Sequence, residues 1–393
     1  MSSIKKILFV QTTLQPPGGA NAVAAWTVEA LKKEHSVSLL TWKHPDFEEI
    51  NRFYGTSLSE SEISIHSVNP VLRRIINLDP DPGSFQKVSY LMRVCKRLKD
   101  NYNTIISSQN EVDFGCRGIQ YFHHPYLSSK IKPDMDLPDH RRFREVLKGR
   151  YRPWMMVSGF SYNRMKDNLT LVNSDWTRNK VKECYGIDAT TVYPPIPGRF
   201  PDIPWNDREN GFVCIGRFCP GKKFETIIEI LAKVRSRIPG IHLHIIGTPS
   251  PFAGENEYYS KLMRVVRENS PWVLLHENLS REELIDLISS HRYGIHANIE
   301  EHFGIAVGEM IKAGCIVFVH NSGGQVEIVG RDERLIYGTE EEAIEKIVRV
   351  MGDPDEQMSL IDYLKSRKEI FSTEKFMRSI REIVRQFEKT RWG

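Results

Sequence analysis

The chain contains no run of about eighteen apolar residues, so a membrane-spanning helix is not expected. Its opening, Met1-Ser2-Ser3-Ile4-Lys5-Lys6, leads straight into a short apolar strand at 7–10, and no signal peptide is expected. Cysteine is sparse. The six thiols, Cys95, Cys116, Cys184, Cys214, Cys219 and Cys315, are scattered and sit mostly in apolar settings. Cys214 and Cys219 are close, but no second pair stands at zinc spacing, so buried thiols in a reducing cytoplasm are expected. Neither sign of charge dominates: 54 Lys and Arg against 50 Asp and Glu leave a formal +4, too mild to imply nucleic acid. The Gly-rich loop after the first strand has neither Gly-x-Gly-x-x-Gly nor a Walker pattern, which argues against a dinucleotide site and a P-loop there.

What is present is a soluble globular profile, 40% hydrophobic and 26% charged, long enough for two domains of ordinary size. Strand 7–10, a loop containing Gly18 and Gly19, a helix over 22–33 and a strand over 36–41 make a β-loop-α-β unit. Short strands follow at 104–107, 119–122 and 169–172, the last before a helix that Ser174 or Asp175 can cap and that reaches Tyr185. A Pro-rich, aperiodic run through Pro194-Pro195-Ile196-Pro197 to Asp207 reads as a linker. The chain therefore divides into an N-terminal domain over 1–193, a linker over 194–210 and a C-terminal domain over 211–371. In the latter, strands at 212–215, 242–246, 273–275, 293–296, 316–319 and 335–336 alternate with helices such as 225–237, 256–268 and 281–289. That alternation predicts a parallel, doubly wound α/β sheet. A long helix is predicted at 372–389.

The chemistry is expected in Ile299-Glu300-Glu301-His302-Phe303-Gly304-Ile305-Ala306-Val307-Gly308-Glu309, between a buried strand and a helix over 305–313 that Gly314 stops. On one continuous helix Glu301 and Glu309 would stand about 80° apart. A better reading puts Glu301 in the loop and Glu309 about a turn inside the helix. Gly304 lets the backbone approach a ligand, and free N–H groups at the helix start suit a phosphate. Arg217 and Lys222, five residues apart after the first strand of the second domain, make a phosphate clamp of one planar fork and one point charge. Gly18 and Gly19 are placed to bring backbone N–H groups to a phosphate or acceptor. His123 stands at the carboxyl edge of strand 119–122, where ligands gather in open α/β sheets.

The wording Glu301-His302-Phe303-Gly304-Ile305-x-x-x-Glu309, followed by Asn321-Ser322-Gly323-Gly324, resembles the Glu-x₇-Glu motif of retaining glycosyltransferases of family 4. Gly216-Arg217-x-x-x-x-Lys222 resembles that family's diphosphate-binding motif. The resemblance implies the GT-B fold, two Rossmann-like doubly wound domains facing across a cleft, with the C-terminal helix over 372–393 packing back on the first. It also implies site roles. Arg217 and Lys222 would stabilise the leaving diphosphate without a metal. Glu301 would hold sugar hydroxyls, Phe303, Gly304 and Ile305 would offer backbone contacts, and Glu309 would accept from ribose hydroxyls. The base would lie near Leu275 to Leu279. Glu327 matches a family acid or braces the following helix. No cofactor is implied beyond the nucleotide-sugar donor.

Gly118-Ile119-Gln120-Tyr121-Phe122-His123-His124-Pro125 looks like the Tyr-x-His-x-Pro stretch of lipid-linked mannosyltransferases, which puts His123 near the reacting sugar and His124 at a variable position. With Val172-Asn173-Ser174-x-Trp176-Thr177, it points to the branch that adds α1,2-mannoses to lipid-linked oligosaccharides from GDP-mannose. A hexosyltransferase at the cytoplasmic membrane face is expected. Between His140 and Lys166 the chain is basic and aromatic, with Arg141, Arg142, Arg144, Lys148, Arg150 and Arg152 among Phe143, Tyr151, Trp154 and Phe160. A solvated helix face with its aromatics turned inward accounts for such a stretch as well; where it has a partner, an anionic membrane surface rather than nucleic acid is expected. Two rivals stand beside this reading: a family 4 enzyme using a UDP- or ADP-sugar, and a non-catalytic binding module on the same scaffold.

Overall fold

The computed structural model describes residues 4–15, 18–76, 85–127, 153–249 and 253–392. They form two compact units, one holding the residues up to Pro197 together with those from Ser372 onward, the other spanning Gly198–Phe371.

The first unit is built on a seven-stranded sheet of β1 (Lys6–Val10), β2 (Ser36–Thr41), β3 (Ile63–Ser67), β4 (Thr104–Ser107), β5 (Ile119–Phe122), β6 (Leu169–Val172) and β7 (Thr190–Thr191). All neighbours are parallel, in the order β3-β2-β1-β4-β5-β6-β7. Continuous apolar runs such as Ile7-Leu8-Phe9-Val10 suit strands covered on both faces. Because side chains alternate along a strand, Ile7 and Phe9 enter one core and Leu8 and Val10 the other. The first core is closed by the helices Gly19–Leu31 and Thr373–Trp392. Phe376, Ile380, Val384 and Phe387 recur at helical spacing and are all buried there. Arg381 Nε donates to the Ala30 carbonyl at 2.8 Å, and the buried Glu388 accepts from Lys5 at 3.0 Å and from Thr104 at 3.2 Å. The opposite core is closed by the helix Phe85–Leu98 through Val88, Leu91, Met92 and Cys95.

The second unit carries β8 (Glu209–Ile215), β9 (Leu243–Gly247), β10 (Val273–Glu277), β11 (His291–His296), β12 (Ile316–His320) and β13 (Ile336–Tyr337). They too are parallel, ordered β10-β9-β8-β11-β12-β13. In each unit the order reverses beside the first strand, between β1 and β4 and between β8 and β11. Loops leaving the carboxyl ends there diverge and open a crevice.

Local signals account for the element ends. Ser174 accepts from the Thr177 N–H and starts the helix Asp175–Tyr185, while Gly186 ends it in the left-handed conformation. The helix Arg281–Ser289 opens with a capping box of Ser280 and Glu283. All six cysteines are free, and Cys95, Cys214 and Cys315 are buried. The strand β3 and the two-residue β7 had no counterpart in the sequence reading. Four of the five residues of β3 are at least partly solvent-accessible, so it lacks the apolar run that marks the central strands.

Candidate active site

The reversal between β8 and β11 brings together two loops distant in sequence. After β8 the chain passes Gly216 and Arg217 into a short turn, Pro220–Lys222, and then the helix Phe224–Arg237. After β11 it passes Asn298 and Glu301 to the helix Ile305–Ala313. Lys222 Nζ meets Glu301 Oε2 at 2.7 Å across the 79 residues between them. Asn298 Nδ2 donates to the same oxygen at 2.6 Å. Oε1 of Glu301 has no hydrogen-bond partner among the described residues.

Burial by itself would raise the Glu301 carboxyl, but the Lys222 ammonium, foremost among its neighbours, holds it well below the ordinary carboxylate range. His296 is buried at the end of β11, and burial first, then the Lys222 charge, lowers its pKa to about 4. Its Nδ1 donates to Gln325 Oε1 at 2.6 Å, since the Gln325 amide nitrogen is committed to the carbonyls of Asn298, His320 and Ser322 at 2.7, 3.0 and 3.0 Å. The neutral ring therefore turns an unprotonated Nε2 toward Glu301 Oε2, 3.8 Å away.

The loop carrying Glu301 is pinned from below. Gly324 donates its N–H to the Glu301 carbonyl at 2.7 Å, and the Glu300 N–H goes to Ser322 Oγ at 2.9 Å. Gly323 has φ +77°, and a Cβ there would lie 2.1 Å from the Glu301 carbonyl oxygen, so only glycine permits this approach. Gly304 has φ +103° and starts the helix Ile305–Ala313 without a side-chain cap. The first N–H groups of that helix thus lack an intrahelical acceptor, as an anion site requires.

Glu309 lies on the fifth residue of this helix, buried, with Oε1 2.5 Å from Arg281 Nη1. Phe303 sends its ring into the interior, edge-on to Phe371 at 5.8 Å, so only its backbone faces the loop. Arg217 is exposed, its side chain unpaired among the described residues. Glu327 is buried in the short helix Gln325–Ile328. The stretch Leu275 to Leu279 leaves β10 through Asn278, which has φ +51°.

In the first unit, Gly18 precedes the helix Gly19–Leu31, and its N–H is donated to the Tyr54 hydroxyl at 2.7 Å, which returns a hydrogen bond to the Gly18 carbonyl at 2.9 Å. Gly19 is the first helical residue, where an N–H has no intrahelical acceptor. His123 follows β5. Asn110 Oδ1 accepts from the N–H groups of His123 and His124 at 2.6 and 3.0 Å, and Asn173 Nδ2 donates to the His123 carbonyl at 3.1 Å. The His124 ring stacks on Trp176 at 6.4 Å. Of the basic stretch, 141–152 lies outside the described residues. Trp154 and Phe160 are half-buried.

The sequence reading missed Asn298, His296, Gln325 and Arg281. The first three surround Glu301, and Arg281 neutralises Glu309 from 28 residues away. None carries a local motif. Only the position of His296 at the carboxyl end of an apolar strand marked it as facing a ligand edge.

Residues 198–367 match the model of the family described as glycosyl transferases group 1. The mouse protein named GDP-Man:Man(3)GlcNAc(2)-PP-Dol alpha-1,2-mannosyltransferase is 28% identical over 247 residues, 57% of this chain and 50% of that protein. The Dictyostelium discoideum protein of the same name is 24% identical over 68% of this chain and 59% of its own. The human one is 30% identical over 47% and 41%. The chain thus spans about half the length of the curated relatives it matches. Among solved structures, a sucrose-phosphate synthase from Thermosynechococcus elongatus superposes with a TM-score of 0.71 at 15% identity, over 98% of this chain and 100% of that one. HepE of Anabaena, solved with UDP and glucose, gives 0.65 at 14% identity, over 97% and 100%. These likenesses establish the fold as GT-B.

Proposed function

We propose that this chain, a GT-B protein whose residues 198–367 form a group 1 glycosyl transferase domain, moves a hexose with retention of configuration, mannose from GDP-mannose, to a lipid-linked glycan or glycolipid. The observation that carries the reading is the Lys222–Glu301 pair at the sheet reversal, within a chain whose matched relatives are named α-1,2-mannosyltransferases.

Transfer breaks the bond from the anomeric carbon to the diphosphate. Negative charge grows on the leaving group, positive charge on the sugar ring. Arg217 and Lys222, with the open N–H groups at the start of the helix Ile305–Ala313, meet the first. Glu301 is ionised, and its Oε1 is available to sugar hydroxyls while Oε2 is held by Lys222 and Asn298. Glu309, braced by Arg281 on one oxygen, offers the other to ribose hydroxyls. The role of His123 near the reacting sugar rests on the resemblance of its sequence segment alone. The clamp is cationic side chains and backbone N–H groups, so the donor site is proposed to act without a metal. Attachment to the inner membrane face is assigned to 141–166. Its described part leaves Met156, Val157 and Tyr162 exposed, apolar surface of the kind that suits a headgroup boundary.

Thermal unfolding in the presence of GDP, UDP and ADP tests the donor. A ligand at 100 times its Kd stabilises by about 2.7 kcal/mol, a shift of several degrees. GDP alone is expected to raise the midpoint. A preference for UDP or ADP would remove mannose from the reading and leave a family transferase of another sugar. No response to any of the three would favour a binding module.

A further inference from the structure

The amino-terminal edge of the second sheet, the edge away from Glu301, gathers three imidazoles. His291 is the first residue of β11 and Glu209 the first of β8, while His242 and His244 flank the first residue of β9. One nitrogen each of His242, His244 and His291 lies within 4.8 Å of the other two. His242 Nε2 is 3.1 Å from His291 Nε2 and 3.2 Å from Glu209 Oε2, and His291 Nε2 is 4.0 Å from the same carboxylate. His291 Nδ1 faces the Leu287 carbonyl at 2.7 Å and must donate to it, so in the neutral ring Nε2 is a bare lone pair. Three acceptor atoms thus converge with at most one proton, that of His242, to share among them.

Two further features shape the cluster. His244 Nδ1 is hydrogen-bonded with His276 Nε2 at 2.8 Å, their rings stacked at 4.9 Å, which orients His244 and leaves its other nitrogen free. Residue 211 on β8 is glycine, and a Cβ there would lie 2.3 Å from His242 Nε2, so the missing side chain makes the room that His242 occupies. Such outer hydrogen bonds to a carbonyl and to a second ring are the ones that orient imidazole ligands at metal sites.

We propose that His242, His244 and His291 bind a divalent transition cation of the zinc class, with the exposed Glu209 carboxylate or water as fourth ligand. At a Zn–N distance of about 2.0–2.1 Å, tetrahedral ligand atoms stand about 3.3 Å apart, close to the 3.1 and 3.2 Å seen around His242 Nε2. The site lies five residues down β11 from His296, about 16 Å at the strand rise, so its role is to staple β8, β9 and β11 rather than to touch the sugar donor. It is independent of the transferase reading.

The test uses the full chain without a polyhistidine tag, treated with chelator and then titrated with Zn²⁺ and with Co²⁺. One equivalent per chain should bind, raise the unfolding midpoint, and give with Co²⁺ the intense visible bands of a four-coordinate site. His242→Gln and His244→Gln should each weaken binding more than tenfold while leaving the metal-free circular dichroism unchanged. His242 and His244 are both half-buried, and the wild-type Co²⁺ spectrum decides the matter should both variants misfold. No saturable binding, a six-coordinate Co²⁺ spectrum, or affinity retained in both variants would overturn the proposal.

Discussion

A carboxylate as enclosed as Glu301 needs compensation, and a single oxygen receives it from Lys222 and Asn298. Removing one member of such a pair leaves the other charge poorly solvated. Lys222→Ala is therefore expected to lower kcat by about 10²–10³-fold, about 2.7–4 kcal/mol of barrier, because the leaving diphosphate loses one preorganised cation. The same change has a pH signature. In the wild type the depressed Glu301 pKa keeps the group ionised well below the ordinary carboxylate value of 4.5, so its contribution to stability is present above that pH and fades only as pH falls further. Without Lys222 burial prevails, the carboxyl rises, and the acid limb of the rate profile should move to higher pH. Initial rates across pH 4 to 8 read both effects. An unmoved acid limb would mean that Lys222 does not hold that charge.

The helix Ile305–Ala313 was legible residue for residue, because Gly304 and Gly314 bracket it and both adopt positive φ. Its neighbour, the turn through Gly323, was legible only as glycines. What they permit is the contact with the Glu301 backbone. Gly323→Ala adds a Cβ 2.1 Å from a carbonyl oxygen at a φ that costs L-residues about 1–2 kcal/mol before any clash. Urea unfolding should show a loss larger than that figure, with the nucleotide-induced thermal shift reduced as well. A loss under 1 kcal/mol would show that the loop moves freely away from the turn. The helix Phe47–Tyr54 escaped the reading although its signals are local: Asp46 caps it, Glu48 and Glu49 fill its first turn, and the buried Phe47, Ile50 and Tyr54 recur at helical spacing.

At the scale of the molecule, the chain leaves its first unit at Pro197 and returns to it at Ser372. The last helix buries Phe376, Ile380, Val384 and Phe387 in the same core as Phe9 and Ile106 of β1 and β4. The first unit is consequently incomplete until the last twenty or so residues are in place. Phe387→Ala should cost about 3–5 kcal/mol, as large-to-small changes at buried aromatic sites do, measured as a fall in the denaturant midpoint of the full chain. A cost below 1 kcal/mol would make the helix an accessory rather than part of the core.

Periodicity and punctuation were enough for the central strands, for most helices of the second unit and for the residues at strand ends, since these depend on neighbours a few positions away. The strands 36–41, 104–107, 119–122 and 169–172 were read with the bounds they have, Lys222 and Glu301 are in the loops after apolar strands as read, and Glu309 is inside the helix that follows. What folding alone decided are the pairings across the sheets. Lys222 with Glu301, Arg281 with Glu309 and His242 with His291 are 79, 28 and 49 residues apart. The histidines show the reason most plainly. His242 and His244 stand two positions apart in the sequence, but His291 joins them only through the register of parallel strands, and register is a property of the packed sheet.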